Sequence, residues 1–202
     1  MKLYYSPGAC SLSPHIVLRE AGLPFDLVKT SLKDHTLADG SDYYALTPKG
    51  QVPLLELDDG QRLSEGPVIL QYIADQAPGS GLAPAAGTLA RYRLLEWLNF
   101  ITSELHKGFS PLFNPKMPRE AKEIFAERLQ QRFTLVDRQL EGRDYLMGAA
   151  FSVADAYLYT MTTWAQGLGL DLSALANLNA YRARVAARPA VQAALKAEGL
   201  AR

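Results

Sequence analysis

Cysteine is almost missing from this 202-residue chain, whose single thiol is Cys10. An internal disulfide is therefore excluded. So is a redox Cys-x-x-Cys pair, because Ser13 stands where the second thiol would be. An excess of charge is missing too: Lys plus Arg number 21, and so do Asp plus Glu. A neutral chain has no electrostatic reason to hold nucleic acid or an anionic membrane surface, and neither partner is expected. No apolar run approaches the ~20 residues that cross a bilayer. The opening "MKLYYSPGAC" has no signal-peptide core. A reducing, cytoplasmic setting follows as the simplest expectation. What is present is ordinary for a globular protein, with 48% hydrophobic and 21% charged residues. The length suits one large domain or two small ones, and either can bury a sizeable core.

Lys2 to Tyr5 forms a short apolar strand closed by Ser6-Pro7-Gly8. Ser11 or Ser13 can cap the helix that continues through "PHIVLREAG". Pro14 is tolerated there because the first turn leaves its backbone N–H groups unused. Gly22 and Pro24 stop the helix. "PFDLVKT" reads as a second strand, and a weak helix or loop is expected around Leu37 to Leu46. "VPLLELDDGQRLSEG" is a hairpin turning at Asp58-Asp59-Gly60. "GPVILQYIADQAP" is a helix with apolar Val68, Ile69, Tyr72 and Ile73. The order β-α-β-α-β-β-α is that of a compact α/β domain.

Pro78, Gly79, Ser80, Gly81, Pro84 and Gly87 then crowd together as a domain boundary. The expected division is an α/β domain over 1–78, a linker over 79–87 and an all-α helical bundle over 88–202. Its helices are expected near Thr88–Lys107, Arg119–Leu140, Ser152–Gln166, Asn179–Ala187 and Ala190–Glu198. Ser152 and Asp155 make a capping box at the third of these.

Cys10 lies at or just before a helix N-terminus, after a Pro-Gly turn. There the helix dipole and unpaired N–H groups favour a thiolate. The competing reading is a small buried hydrophobe, and position alone leaves the two open. Pro53 starts a strand that should lie inside a sheet, where proline is disfavoured unless its missing N–H is not needed. A cis Val52–Pro53 bond would leave the Val52 N–H and C=O free for an extended peptide ligand. Trans is the ordinary expectation.

Taken together, "YYSPGACSLSPHI", "GQVPLLELDDG", "LSEGPVILQYIAD" and "FSVADAYLY" resemble the bacterial glutathione S-transferases, most closely the beta class. The resemblance covers the whole chain. It implies a thioredoxin-like domain followed by an all-helical domain, usually in a homodimer. It places Cys10 against the glutathione sulfur. Glutathione is a co-substrate in this family; no metal and no permanently bound cofactor is expected.

The tripeptide offers two carboxylates, an ammonium and a thiol. Val52 can pair with its cysteinyl segment in strand fashion. Glu65 can accept the γ-glutamyl ammonium, and the helix start at Gly66 can bind the γ-glutamyl carboxylate. On pattern alone, Glu65 would be no more than a carboxylate favoured by the helix dipole. Beta-class proteins commonly have a lysine near the glycyl carboxylate where this chain has His35, and Lys33 is a close substitute.

Asn99, Ser103 and His106 fall at spacings of four and three on one helical face. The family places Ser103, Glu104 and His106 at the ligand, with Glu104 serving its own or a neighbouring subunit's site. His106 is the best candidate to hydrogen-bond the thiolate or Cys10, and Lys107 adds positive potential. "GFSPLFNP" brings Phe109, Leu112 and Phe113 into a loop. With Trp164 these suit an apolar electrophile pocket, although each ring alone reads more simply as core.

The expected function is transfer of the glutathione sulfur to a small hydrophobic electrophile, or to a halogenated carbon with loss of halide. Glutathione-dependent thiol–disulfide exchange and peroxide reduction fit the same site. The rival class is a non-catalytic carrier or protein-interaction module built on the same fold. Retention of Cys10, Val52–Pro53, Glu65 and His106 together argues against it.

Overall fold

The structure is a computed structural model that describes residues 1–201. Arg202, the last residue of the expected helical domain, lies outside the described residues. Close contacts divide the chain into two units, with a division between Leu82 and Ala83, inside the 79–87 stretch. The first unit runs to Leu82 and takes back the chain from Arg188 onward; the second spans Ala83–Ala187.

The first unit carries strands β1 (Lys2–Tyr5), β2 (Asp26–Ser31), β3 (Thr36–Leu37), β4 (Leu54–Glu56) and β5 (Arg62–Ser64). The sheet order is β3-β2-β1-β4-β5. Only β1 and β2 run parallel, since helix α1 (Leu12–Glu20) separates them; the remaining pairs are antiparallel. Helix α2 (Gly66–Gln76) follows β5 and buries Ile69, Leu70 and Ile73. Fully burying one such side chain contributes roughly 1.5–3 kcal/mol.

One expectation for this unit is sharpened and one corrected. The weak helix or loop around Leu37 to Leu46 is mainly loop, beginning at the end of the two-residue edge strand β3 and holding a 3₁₀ turn, Tyr43–Ala45. Asp42 accepts the Tyr44 N–H at 2.9 Å, a local bond that starts a turn without extending a helix. The serine cap of α1 is also not made. Ser11 sits at the N-cap in helical geometry, with its hydroxyl bonded back to Ser6. The N–H groups of Leu12 and Ser13 go to the Ala9 and Cys10 carbonyls, at 3.0 and 3.2 Å.

The last helix, α8 (Pro189–Ala197 in the described chain), groups with the first unit and not with the helical domain that sequence order suggested. It packs on α1. The pairing is fixed by charge as well as by apolar burial. Arg188 donates two bonds to Glu20, at 2.6 and 2.8 Å. His15, fully buried on α1, meets the fully buried Glu198 at 2.8 Å.

The second unit is helical. It contains α3 (Leu89–Phe100), a π-helical segment (Ile101–His106), α4 (Lys107–Phe113), α5 (Arg119–Gln139), α6 (Val153–Gly167) and α7 (Ala176–Ala186). One continuous helix over Thr88–Lys107 was expected. The Thr102 and Ser103 hydroxyls instead bond the Leu98 and Asn99 carbonyls, at 2.8 and 3.1 Å. Those carbonyls are thus shared, and the Lys107 N–H reaches five residues back to Thr102. "GFSPLF" is helix, not loop. Pro111 lies inside α4, where its missing N–H cannot bond the Lys107 carbonyl four residues before it.

Helix α6 is buried along most of its length, so its polar groups must be satisfied locally. Thr160 and Thr162 donate to the Ala156 and Tyr159 carbonyls. At its N-terminus the Asp155 carboxylate accepts from the Ser152 N–H and hydroxyl and from the Leu146 N–H, at 2.8, 2.7 and 2.9 Å. Burial pushes the Asp155 carboxyl up to about 6, against the opposing pull of those hydrogen bonds.

Candidate functional site

In the first unit the core cluster of Tyr4, Tyr43, Val52 and Leu54 brings two stretches together, with Ala9 packed against it. One is the Ser6–Ser11 turn; the other is the bend entering β4. Across that junction the Cys10 thiol donates to the Val52 carbonyl, at 3.1 Å. Only the protonated thiol makes this bond. The N–H groups expected to stand unpaired beside it are occupied instead, those of Leu12 and Ser13 by the Ala9 and Cys10 carbonyls.

The Val52–Pro53 bond is cis. The Val52 carbonyl is not free, as a vacant strand edge would have it, but holds Cys10. The Val52 N–H makes no backbone bond among the described residues.

The turn before Val52 is buttressed from both sides. Tyr43 donates its hydroxyl to the Gln51 carbonyl at 3.0 Å. His35 Nδ1 lies 3.1 Å from the Gly50 carbonyl, and its ring stands 4.5 Å from that of Tyr44. Gly50 has φ +58°, and a Cβ there would lie 2.5 Å from Tyr44 and 2.9 Å from His35. The position therefore requires glycine. His35 is engaged in this turn, while Lys33 is exposed.

Glu65 has a positive φ of 70° and stands as N-cap of α2. Its carbonyl accepts the Val68 and Ile69 N–H groups, at 3.0 Å each. Pro67 has no N–H, which leaves Gly66 as the first-turn donor for an anion. The Glu65 carboxylate is met by Lys49 at 2.6 Å, which also reaches Ser64. Both partners are about half exposed, so the pair contributes about 0–1 kcal/mol and is readily exchanged for another cation. Sequence reasoning missed Lys49; nothing in "TPKGQVP" marks it as Glu65's partner.

In the second unit the π-helical segment breaks the expected polar stripe. Asn99 and Ser103 are exposed, while His106 is half-buried. His106 Nδ1 lies 2.6 Å from the Tyr157 hydroxyl, and its ring packs edge-on to Trp164 at 5.0 Å. With the phenol donating to Nδ1, a neutral ring carries its proton on Nε2. The sequence assigns Tyr157 no role: "FSVADAYLY" serves there as a helix start and as a family motif.

Glu104 is held by Arg132 and Arg128 of α5, at 2.6 and 3.2 Å. Those bonds, Arg132's first, hold its carboxyl below the usual range. Its charge is thus compensated without a ligand's ammonium. Phe109, Phe113 and Trp164 do come together, with ring centroids 5.2–6.4 Å apart. Phe109, however, is fully buried and belongs to the core, whereas Phe113 is half exposed.

Two family models match the chain. Residues 8–76 match the glutathione S-transferase N-terminal domain, and residues 100–189 match the C-terminal domain. The chain belongs to the glutathione S-transferase family. Its transferase relatives include glutathione S-transferase GstA of Escherichia coli O157:H7, 48% identical, with 99% of this chain and 100% of that one covered. The structure of a sphingomonad glutathione S-transferase complexed with glutathione is 54% identical, at a TM-score of 0.96 and full coverage of both chains. A beta-class glutathione S-transferase of Sphingomonas chungbukensis is 50% identical, at a TM-score of 0.96, with 99% of this chain and 100% of that one covered. The family and beta-class resemblance read from the motifs is met, as is the fold: a thioredoxin-like unit with a mixed sheet, and a helical unit.

Proposed function

We propose that this protein joins the glutathione sulfur to small hydrophobic electrophiles in the cytoplasm, working as a homodimer. The carrying observation is the Cys10 thiol held 3.1 Å from the Val52 carbonyl, beside a Val52 N–H with no backbone bond among the described residues. That pair is an exchangeable lock. The cysteinyl N–H of glutathione takes the Val52 carbonyl, and its carbonyl takes the Val52 N–H, in strand fashion. The Cys10 S–H, released from Val52, then donates to the glutathione sulfur.

Glu65 exchanges Lys49 for the γ-glutamyl ammonium, and the Gly66 N–H binds the γ-glutamyl carboxylate. For the second unit, the family resemblance assigns His106 to the thiolate, Lys107 a positive potential, and Phe113 and Trp164 to the electrophile. The sulfur lone pair forms the new C–S bond as the leaving group, halide in the dehalogenating case, departs with its electron pair. Asn99 and Ser103 remain candidate ligand contacts. Contact with the glycyl carboxylate is assigned to His35 or Lys33, and Glu104 is kept as a contact of its own or a neighbouring subunit's site.

Retention on immobilised glutathione, followed by conjugation of a model arylating electrophile, tests the reading directly. A retained but inactive protein would favour a carrier. Oxidised glutathione should also react with Cys10, forming one mixed disulfide and releasing one reduced glutathione. Intact mass spectrometry should record a single adduct that disappears in Cys10→Ala. A native protein that takes no adduct, while other thiol reagents label Cys10, refutes this.

The dimer is proposed from family membership. Light scattering over a dilution series should give twice the chain mass. A fully active monomer at assay concentration would sink it.

A further inference from the structure

Glu198 caps the C-terminus of α8. A carboxylate there opposes the helix dipole, and this one is fully buried. Its placement is therefore not explained by the helix that carries it. The explanation lies in what it holds. Oε1 is 2.8 Å from His15 Nδ1, and Oε2 accepts the Gly8 N–H at 2.9 Å. Arg19 Nε donates to His15 Nε2 at 2.9 Å. That bond requires an unprotonated Nε2, so the His15 proton lies on Nδ1 and points at Glu198.

Gly8 belongs to the turn that carries Cys10. Within the turn the bonds are short-range, Ala9 N–H to the Ser6 carbonyl, Leu12 N–H to the Ala9 carbonyl and the Ser6–Ser11 pair, while the Cys10 thiol reaches across to Val52. Glu198 reaches it from 190 residues away, at a glycine with φ +71°. After Glu198 the chain turns back through Gly199, φ 73°, with Leu200 N–H on the Leu195 carbonyl. Leu200 thereby lies over the turn, 3.7 Å from where a Cβ on Gly8 would stand.

We infer that Glu198 is a positioning residue for the Cys10 thiol: by gripping Gly8, it fixes where Sγ lies against the Val52 carbonyl. This rests on the proposed role of Cys10 toward glutathione. Both carboxylate oxygens are used as acceptors, so Glu198→Gln must lose one bond and set an NH2 group against a donor. The loosened turn should release Sγ from Val52 and expose it.

The test compares Glu198→Gln with Glu20→Gln. The latter breaks the Arg188 pair, loosening α8 on α1 without touching Gly8. Iodoacetamide should alkylate Cys10 about fivefold faster in folded Glu198→Gln, the factor supplied by one lost hydrogen bond of ordinary strength. The KM for glutathione should rise by a similar factor, with kcat moved less. Glu20→Gln should lower the melting temperature yet alkylate at the wild-type rate. Should Glu198→Gln not fold, Glu198→Asp, too short to reach both donors, is read the same way. Wild-type alkylation in a folded Glu198 variant, or equal acceleration in Glu20→Gln, overturns the inference. Faster alkylation with an unchanged KM would uphold the grip on the thiol and count against the glutathione role of Cys10.

Discussion

His106→Ala should slow glutathione conjugation roughly ten- to a hundredfold near neutral pH. A lost charge-assisted hydrogen bond is worth about 1.5–3 kcal/mol, and each ~1.4 kcal/mol is tenfold in rate. The structure adds an orienting partner to that argument. Tyr157 lies 2.6 Å from Nδ1, and Trp164 packs edge-on to the ring. Tyr157 and Trp164 fix the ring's orientation, so Tyr157→Phe should lower the rate in the same sense and by less. Glutathione affinity should fall little in His106→Ala, because the groups assigned to most of the tripeptide lie elsewhere. The measurement is a pH–rate profile of the folded variant beside wild type. Superimposable profiles at equal rates per folded molecule would leave His106 with a packing role alone.

The largest loss of stability should come from Asp155→Ala. Three buried donors, the Leu146 N–H and the Ser152 N–H and hydroxyl, would lose their acceptor. Each unsatisfied group costs about 1–3 kcal/mol, partly offset by removing a buried carboxylate. A net loss of ~3 kcal/mol would lower the melting temperature by roughly 6–12 °C.

The damage should depend on pH. The folded carboxyl is raised from 3.8 to about 6 by burial, so between those values the native state binds a proton that the unfolded chain does not. Its stabilisation is fully present below 3.8 and is lost as pH rises through about 6. The gap between wild type and Asp155→Ala should therefore widen on acidification from pH 7.5 to 5. Thermal melts across that range check it, and a gap that narrows would contradict the raised value.

What could be read from the chain was what short-range chemistry encodes. Asp59-Gly60 announces its hairpin, and Ser152 with Asp155 announces a helix start, because each acts within a few residues. The motifs around Cys10, Val52 and Glu65 announced the family. Three things were not legible. The π-helical segment comes from the Thr102 and Ser103 hydroxyls sharing carbonyls, a competition that polarity patterns do not record. Tyr157 on His106 and Lys49 on Glu65 are pairings over 51 and 16 residues, set by packing. Membership of α8 in the first unit is decided by Arg188–Glu20 and His15–Glu198, while the local sequence there reads as one more helix.

That last grouping bears on how the protein is made. The first unit is interrupted in chain order by 105 residues, Ala83–Ala187, and its closing contacts span 168 to 190 positions. A ribosome builds the sheet and α1 first, yet His15 has no Glu198 and Glu20 no Arg188 until α8 has emerged. The nascent sheet thus waits, with a charged pocket half assembled, while the whole second unit is synthesised. A nonsense codon before Arg188 would spare every residue of the glutathione motifs and still leave the Cys10 turn without its Glu198 anchor.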